Sequence, residues 1–322
     1  MKNILITGGC GFIGSNLILH LINNCDGYNV VNFDKLTYAS DRDHLSSVEQ
    51  HSAYTFVEGD ICDNEMVNYT IKHHNIDSII HLAAESHVDN SISNPLQFVT
   101  TNVGGTGILL DAFRKHCSGR FHYVNTDEVY GALGETGMFT ENTPLAPNSP
   151  YSASKAGGGL LVRSYQRTYG IDTVITSCSN NFGPHQHAEK LIPTVIRTAM
   201  SLDTIPVYGD GKNVRDWLYV HDHCVAIELV FRKGVSGEIY NIGGDQEVNN
   251  NDLVNKLCKL LDVLKPRVDG KSYTEQITYV QDRKGHDYRY AVDCTKLKTE
   301  LGWSPSVNFD ELLESTVRYY LN

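Results

Sequence analysis

The eight cysteines of this chain include no Cys-x-x-Cys pair, and basic residues are in deficit, with 27 Lys and Arg against 38 Asp and Glu. No apolar run approaches the ~20 residues that a membrane helix needs. Each deficit excludes something. Scattered cysteines in a long chain give no disulfide framework and no metal-ligand spacing, so no metal is expected. The formal charge of −11 argues against a nucleic-acid or anionic-membrane partner, because those need a basic face. An anionic substrate would have to be met by local cations or helix N-termini. The opening residues MKNILITGG run straight into a strand pattern rather than a signal peptide, so the expectation is a soluble, cytoplasmic protein with reduced thiols. What is present is apolar material: 41% of 322 residues, enough for one large domain and a smaller one.

The first half alternates short apolar runs with helical patterns. Strands are expected at 3–7, 29–33, 54–59, 78–83, 120–126 and 173–181, with helices near 12–24, 63–74, 96–117 and 151–169. Several runs are almost continuous in Val, Ile and Phe, as in strands covered on both faces. This alternation predicts an α/β fold with a Rossmann-type, doubly wound parallel sheet. After Gly183-Pro184 the pattern is less regular. Short strands at 205–209, 238–244 and 276–280 mix with helices near 190–201, 222–233, 249–262 and 309–320. The expected division is a nucleotide-binding domain over 1–183, with returning segments about 213–245 and 289–303. The remainder of 184–322 would form a smaller mixed α/β substrate domain.

The stretch TGGCGFIGSNL follows the first strand and opens a helix. Gly8, Gly11 and Gly14 allow a tight turn, close approach to a pyrophosphate and close helix–strand packing. Phe12 and Ile13 begin a helix whose free N–H groups can meet that anion. An ordinary turn also explains a lone glycine pattern. Here the second strand ends in Asp34, about 20 residues on, where a ribose-binding acid belongs. An Asp favours NAD over NADP, since a 2′-phosphate would meet a negative charge.

PYSASKAGG sets Tyr151 and Lys155 four apart, on one face of a helix. A free tyrosine has a pKa of about 10 and is a poor base. A nearby ammonium favours the phenolate, and the same lysine can bond a nicotinamide ribose. By itself such a pair is more often a surface pair. Together with the glycine loop it resembles the extended, nucleotide-sugar-modifying branch of the short-chain dehydrogenase/reductase family, which also uses a Ser or Thr where Thr126 stands.

NTDEVYG places two carboxylates side by side after an apolar strand. Adjacent acids in different surroundings can hold different protonation states, one donating and one accepting. Removing water across two neighbouring carbons requires that division. TDEVYG and YSASK, with AAESHVDNS, CSNNFGPHQHAEKLIP, GDGKNVRDWLYVHDH and DRKGHDYRYAVD, closely resemble the nucleotide-diphosphate-glucose 4,6-dehydratases. The resemblance implies that Tyr151, helped by Thr126, deprotonates the sugar 4-hydroxyl during C4 oxidation by NAD. Glu128 then removes the C5 proton while Asp127 protonates the leaving C6 hydroxyl, and hydride returns to C6 with a proton to C5. The cycle is redox-neutral, so NAD stays bound. A strand-end helix cap is the plainer reading of the two acids.

The resemblance also implies cofactor contacts at Lys35, Thr37, Asp60, Ile61, Ala83, Ala84, Glu85, Asn102, Cys178 and Asn180. Substrate contacts would fall at Ser86, His87, Asn181, Glu189, Lys190 and Leu191, with Arg215, Asn250, Arg283 and His286 near the diphosphate. Arg suits phosphate because its fork grips oxygens in pairs. Each arginine could equally be a surface ion pair, and Cys178 a small buried hydrophobe. Helices 96–117 and 151–169 form a dimer contact in the family, so a homodimer is expected. Asn90 and Ser177 stand where many dTDP-glucose enzymes carry arginine, a lean toward UDP-glucose. The rivals are a UDP-sugar 4-epimerase or decarboxylase, GDP-mannose 4,6-dehydratase, and a non-catalytic NAD-binding scaffold or sensor.

Overall fold

The computed structural model describes residues 2–322. Twelve strands follow in order: β1 (Lys2–Thr7), β2 (Tyr28–Asp34), β3 (Tyr54–Glu58), β4 (Ser78–His81), β5 (Arg120–Thr126), β6 (Asp172–Cys178), β7 (Asn180–Phe182), β8 (Ile205–Tyr208), β9 (Val214–Tyr219), β10 (Ile239–Ile242), β11 (Glu247–Asn249) and β12 (Ile277–Val280). Seven of them form one sheet in the order β10-β6-β5-β4-β1-β2-β3, and every pairing in it is parallel. Their continuous apolar runs are explained by cover on both faces. One face buries Ile4, Ile6, Val30 and Ile80 against the helices Phe12–Asn24 and Val220–Lys233. The other buries Leu5, Phe33, Ile79 and Phe121 against Asn64–His73, Thr106–His116 and Pro150–Tyr169.

A second core lies toward the C-terminal half. Ile192, Val195, Leu253, Leu257, Leu313 and Val317 pack the helices Leu191–Met200, Asn250–Leu264 and Phe309–Leu321 together. Over this core lie a three-stranded sheet, β11-β9-β7, and the pair β12-β8. Part of this half packs with the first sheet. β10 extends the main sheet and the helices Val220–Lys233 and Thr295–Leu301 pack beside it, whereas β9 belongs to the small sheet.

Two expectations are corrected. The run 173–181 is two strands, because the chain changes sheets at Ser179: β6 pairs β5 and β10, while β7 pairs β9. The helix over 96–117 is not uniformly α. Residues Val99–Gly105 form a π-helical stretch between Pro95–Phe98 and Thr106–His116. Such widenings re-aim side chains and recur at functional sites.

Candidate active site

The first and fourth strands adjoin at the point where the strand order reverses, and ligands of open α/β sheets bind beyond the strand ends there. A cavity of ≈ 660 Å³ opens at that place and runs between the two cores. At its deep end Gly8 has φ +72°, and a Cβ there would lie 2.7 Å from the Ala83 nitrogen. A Cβ on Gly14 would lie 2.1 Å from the Gly8 carbonyl oxygen. Only glycine permits both the turn and this packing. Gly11 caps the helix Phe12–Asn24 without any side-chain acceptor, which leaves the first N–H groups facing the cavity.

Asp34 is buried at the end of β2 and its carboxylate is oriented before any ligand arrives. It accepts from the Cys10 and Leu36 N–H groups (2.9 and 2.8 Å) and from the Ser40 hydroxyl (2.9 Å). Lys35 lies 3.5 Å from Asp60 and 3.8 Å from Glu85, tying the β2, β3 and β4 ends together. A glycine cradle, an uncapped helix and a prearranged acid fit a dinucleotide. NAD would be held by this cradle and by Asp34.

In the middle of the cavity stand the two adjacent acids. The Thr126 hydroxyl ends β5, caps the short turn Asp127–Tyr130 by accepting from the Glu128 N–H (3.3 Å), and donates to Asp127 Oδ1 (3.3 Å). A cap does form at this strand end, but Thr126 supplies it and the acids do not. Asp127 is 1% exposed and its Oδ2 has no partner. Burial, then Glu128 and Asp216, push its carboxyl well above the usual range. Burial raises Glu128 too, but Lys190 and Arg215 oppose the shift. Both carboxyls are raised, and the cations near Glu128 make the two environments unequal.

Tyr151 and Lys155 sit on the helix Pro150–Tyr169, whose start is fixed by a Ser149–Ser152 capping box. Lys155 is buried and its Nζ donates to the Val124 carbonyl at 2.8 Å, above the Tyr123 ring. Burial lowers its pKa to about 8. The ammonium is thus held against the end of β5. Burial, followed by Glu128, holds the Tyr151 phenol well above its ordinary range, and Thr126 acts the other way.

The far end is cationic. Arg215 is clamped by backbone carbonyls of Val214, Asp287 and Tyr288 (2.8, 2.9 and 3.2 Å) and stacks 4.4 Å over Tyr290. Arg283 lies 4.8 Å over Tyr208 and 3.7 Å from Asp89. His286 Nδ1 bonds Asp282 at 2.7 Å. Lys190 donates to the Ser86 carbonyl (3.2 Å), and Glu189 is flanked by His187 (3.5 Å) and His87 (3.8 Å).

The cavity gathers nearly all the residues singled out from the sequence, among them Thr37, Ile61, Ala84, Cys178, Asn180, Asn181, Leu191 and Asn250. Asp60 and Asn102 do not line it. Asp60 is engaged with Lys35 and the Cys62 N–H, and Asn102 is buried behind the wall. Asn90 and Ser177 are also outside it, Asn90 bonding Tyr38 at 3.2 Å. Sequence reasoning missed Gln186, Asp287 and Tyr290, although they lie in the CSNNFGPHQHAEKLIP and DRKGHDYRYAVD stretches.

Fold and cavity define a nucleotide-sugar-modifying enzyme of the extended short-chain dehydrogenase/reductase type. Residues 5–316 match the family model described as GDP-mannose 4,6 dehydratase, and the chain belongs to that family. It is 51% identical over 330 residues to a dTDP-glucose 4,6-dehydratase of Xanthomonas campestris, covering 100% of this chain and 93% of that one. A crystal structure of dTDP-glucose 4,6-dehydratase from Bacillus anthracis in complex with NAD superposes with a TM-score of 0.89 at 44% identity, covering 100% and 97% of the two chains. The UDP-glucose 4-epimerase of Thermotoga maritima shares the fold, with a TM-score of 0.89, 29% identity and 99% of each chain covered.

Proposed function

We propose that this protein converts dTDP-glucose to its 4-keto-6-deoxy product by NAD-dependent 4,6-dehydration. The observation that carries the reading is the unequal acid pair: Asp127, buried with its Oδ2 unpartnered and its carboxyl pushed well up by burial, beside Glu128, whose rise on burial is opposed by Lys190 and Arg215. An epimerase, which removes no water, has no use for that pair. Bound NAD supplies a reversible hydride acceptor at the sugar carbon. Tyr151 and Thr126 accept and relay the 4-hydroxyl proton. Glu128 takes the C5 proton, which a C4 ketone makes acidic, while Asp127 delivers its proton to the departing C6 hydroxyl; Glu128 gives the proton back to C5 as C6 recovers the hydride. Arg215, locked by three carbonyls, and Arg283 grip the diphosphate with little reorganisation. The Xanthomonas and Bacillus relatives favour thymidine as the nucleotide.

The same reading includes a homodimer through the helices of 95–116 and 150–169, which expose Leu96, Val99 and Leu160. Sedimentation at twice the chain mass of 35.9 kDa is the expected result. All eight cysteines are free thiols, in keeping with a cytoplasmic, reducing location. Among the described residues no helix is long and apolar enough to cross a membrane. The deciding experiment is incubation with dTDP-glucose and, separately, UDP-glucose without added NAD. Mass loss of one water, faster with dTDP-glucose, is expected. An unchanged mass with inverted C4 would make it an epimerase.

A further inference from the structure

Beneath the catalytic helix lies a titratable group that the proposed reaction leaves unused. His81 ends β4 and is fully buried. Each ring nitrogen has one partner: Nδ1 lies 2.7 Å from Thr7 Oγ1, and Nε2 lies 3.0 Å from Thr106 Oγ1. Donor counting fixes the direction of both bonds. The Thr106 hydroxyl proton goes to the Asn102 carbonyl at 2.6 Å, a group that can only accept. Thr106 Oγ1 must therefore accept from His81, and Nε2 carries the proton. Nδ1 is left as an acceptor for the Thr7 hydroxyl, whose oxygen accepts the Ala83 N–H at 3.2 Å. One directed chain thus runs from the Ala83 N–H through Thr7, His81 and Thr106 to the Asn102 carbonyl.

Both ends of that chain are attached to the cavity wall. Ala83 belongs to the loop that a Cβ on Gly8 would strike. Asn102 stands in the π-helical stretch and clasps the Glu85 backbone twice, accepting its N–H at 2.9 Å and donating to its carbonyl at 3.0 Å. The same amide donates to the Ser154 hydroxyl at 2.8 Å, which in turn donates to the Tyr151 carbonyl at 2.7 Å. The π-turn explains why Asn102 reaches this loop although it lines no cavity.

We propose that His81 is a positioning residue, a neutral imidazole protonated on Nε2, that fastens the Ala83–Glu85 cofactor loop to the helix carrying Tyr151 and Lys155. An imidazolium would donate to Thr7 Oγ1, leave the Thr7 hydroxyl proton without its acceptor and break the chain's direction. It would also add charge beside Tyr123, whose ring centroid lies 5.4 Å from that of His81 and 4.3 Å from Lys155 Nζ. Burial and Lys155 both disfavour that form. The role rests on the NAD reading above, and its consequence is retention of the dinucleotide through a cycle in which it must not leave.

The test uses the holoenzyme. Nitrogen-15 correlation spectra of the His81 ring are expected to show the Nε2–H tautomer, and an Nδ1–H tautomer or an imidazolium would overturn the proposal. His81→Gln keeps one donor and one acceptor, whereas His81→Phe keeps neither. Passed through a desalting column, His81→Phe should lose NAD about tenfold faster than the parent, the scale of one buried hydrogen bond, and His81→Gln should recover most of the retention. A folded His81→Phe that holds NAD as the parent does would overturn the role. Should that variant not fold, the tautomer and the His81→Gln retention decide. Failure of the parent itself to hold NAD would instead count against the proposed function, without touching the tautomer result.

Discussion

The two ends of the cavity are built differently. The cofactor end is made of backbone: a glycine turn, helix N–H groups and one carboxylate already bonded to Cys10 and Leu36 N–H. The substrate end is made of side chains drawn from distant segments, with Arg215 on β9, Lys190 before a helix and Arg283 on a loop. Backbone sites are short in sequence and rigid by geometry. Side-chain sites are tunable, and each cation there must be held by something else. Asp127 and Glu128 lie between, in the turn that follows β5; burial raises both carboxyls, and Arg215 of the other end opposes each rise.

Four predictions break or sharpen that contrast. The largest effect is expected for Tyr151→Phe, which removes the phenolic proton acceptor at the join and should lower kcat on the order of 10²–10⁴-fold, with bound NAD unchanged by absorbance. Next, Arg215→Ala should raise KM about 10–100-fold, the loss of charged hydrogen bonds, and leave NAD retention alone. Gly14→Ala should do the reverse, because its Cβ would collide with the Gly8 carbonyl. NAD content after desalting checks the pair. Third, the pH profile of kcat should fall on the acid side as Glu128 gains a proton and on the alkaline side as Asp127 loses one. Arg215→Met removes a cation that lowers Glu128, so its acid limb should move to higher pH. The smallest effect belongs to Asp89→Asn. Its pair with Arg283 is 3.7 Å long and partly exposed, so the change in KM should stay within about fivefold.

Legibility in the sequence follows the same contrast. The helix over 12–24, the glycine turn and Asp34 could be read directly, because local backbone needs local residue types. The strand Val214–Tyr219 could not: VRDWLY carries Arg215 and Asp216 inward, so its polar letters hid a buried strand. Asp216 is satisfied there by the Gly244 and Gln246 N–H groups, contacts formed only after folding. The Tyr151–Lys155 spacing announced the shared helix but not the bond from the lysine to the Val124 carbonyl, an acceptor remote in sequence. Asn102 was singled out for the cofactor and lies behind the wall instead, because the π-turn that directs it has no residue signature.

The division of labour between the two acids is best tested by running the reaction in D₂O with Asp127→Asn and Glu128→Gln and reading the recovered sugar nucleotide by mass spectrometry. Asp127→Asn should still exchange the C5 hydrogen for deuterium while losing no water, because Glu128 remains to take that proton. Glu128→Gln should show neither exchange nor water loss. Exchange that survives in Glu128→Gln, or disappears only in Asp127→Asn, would contradict the assignment of base and acid.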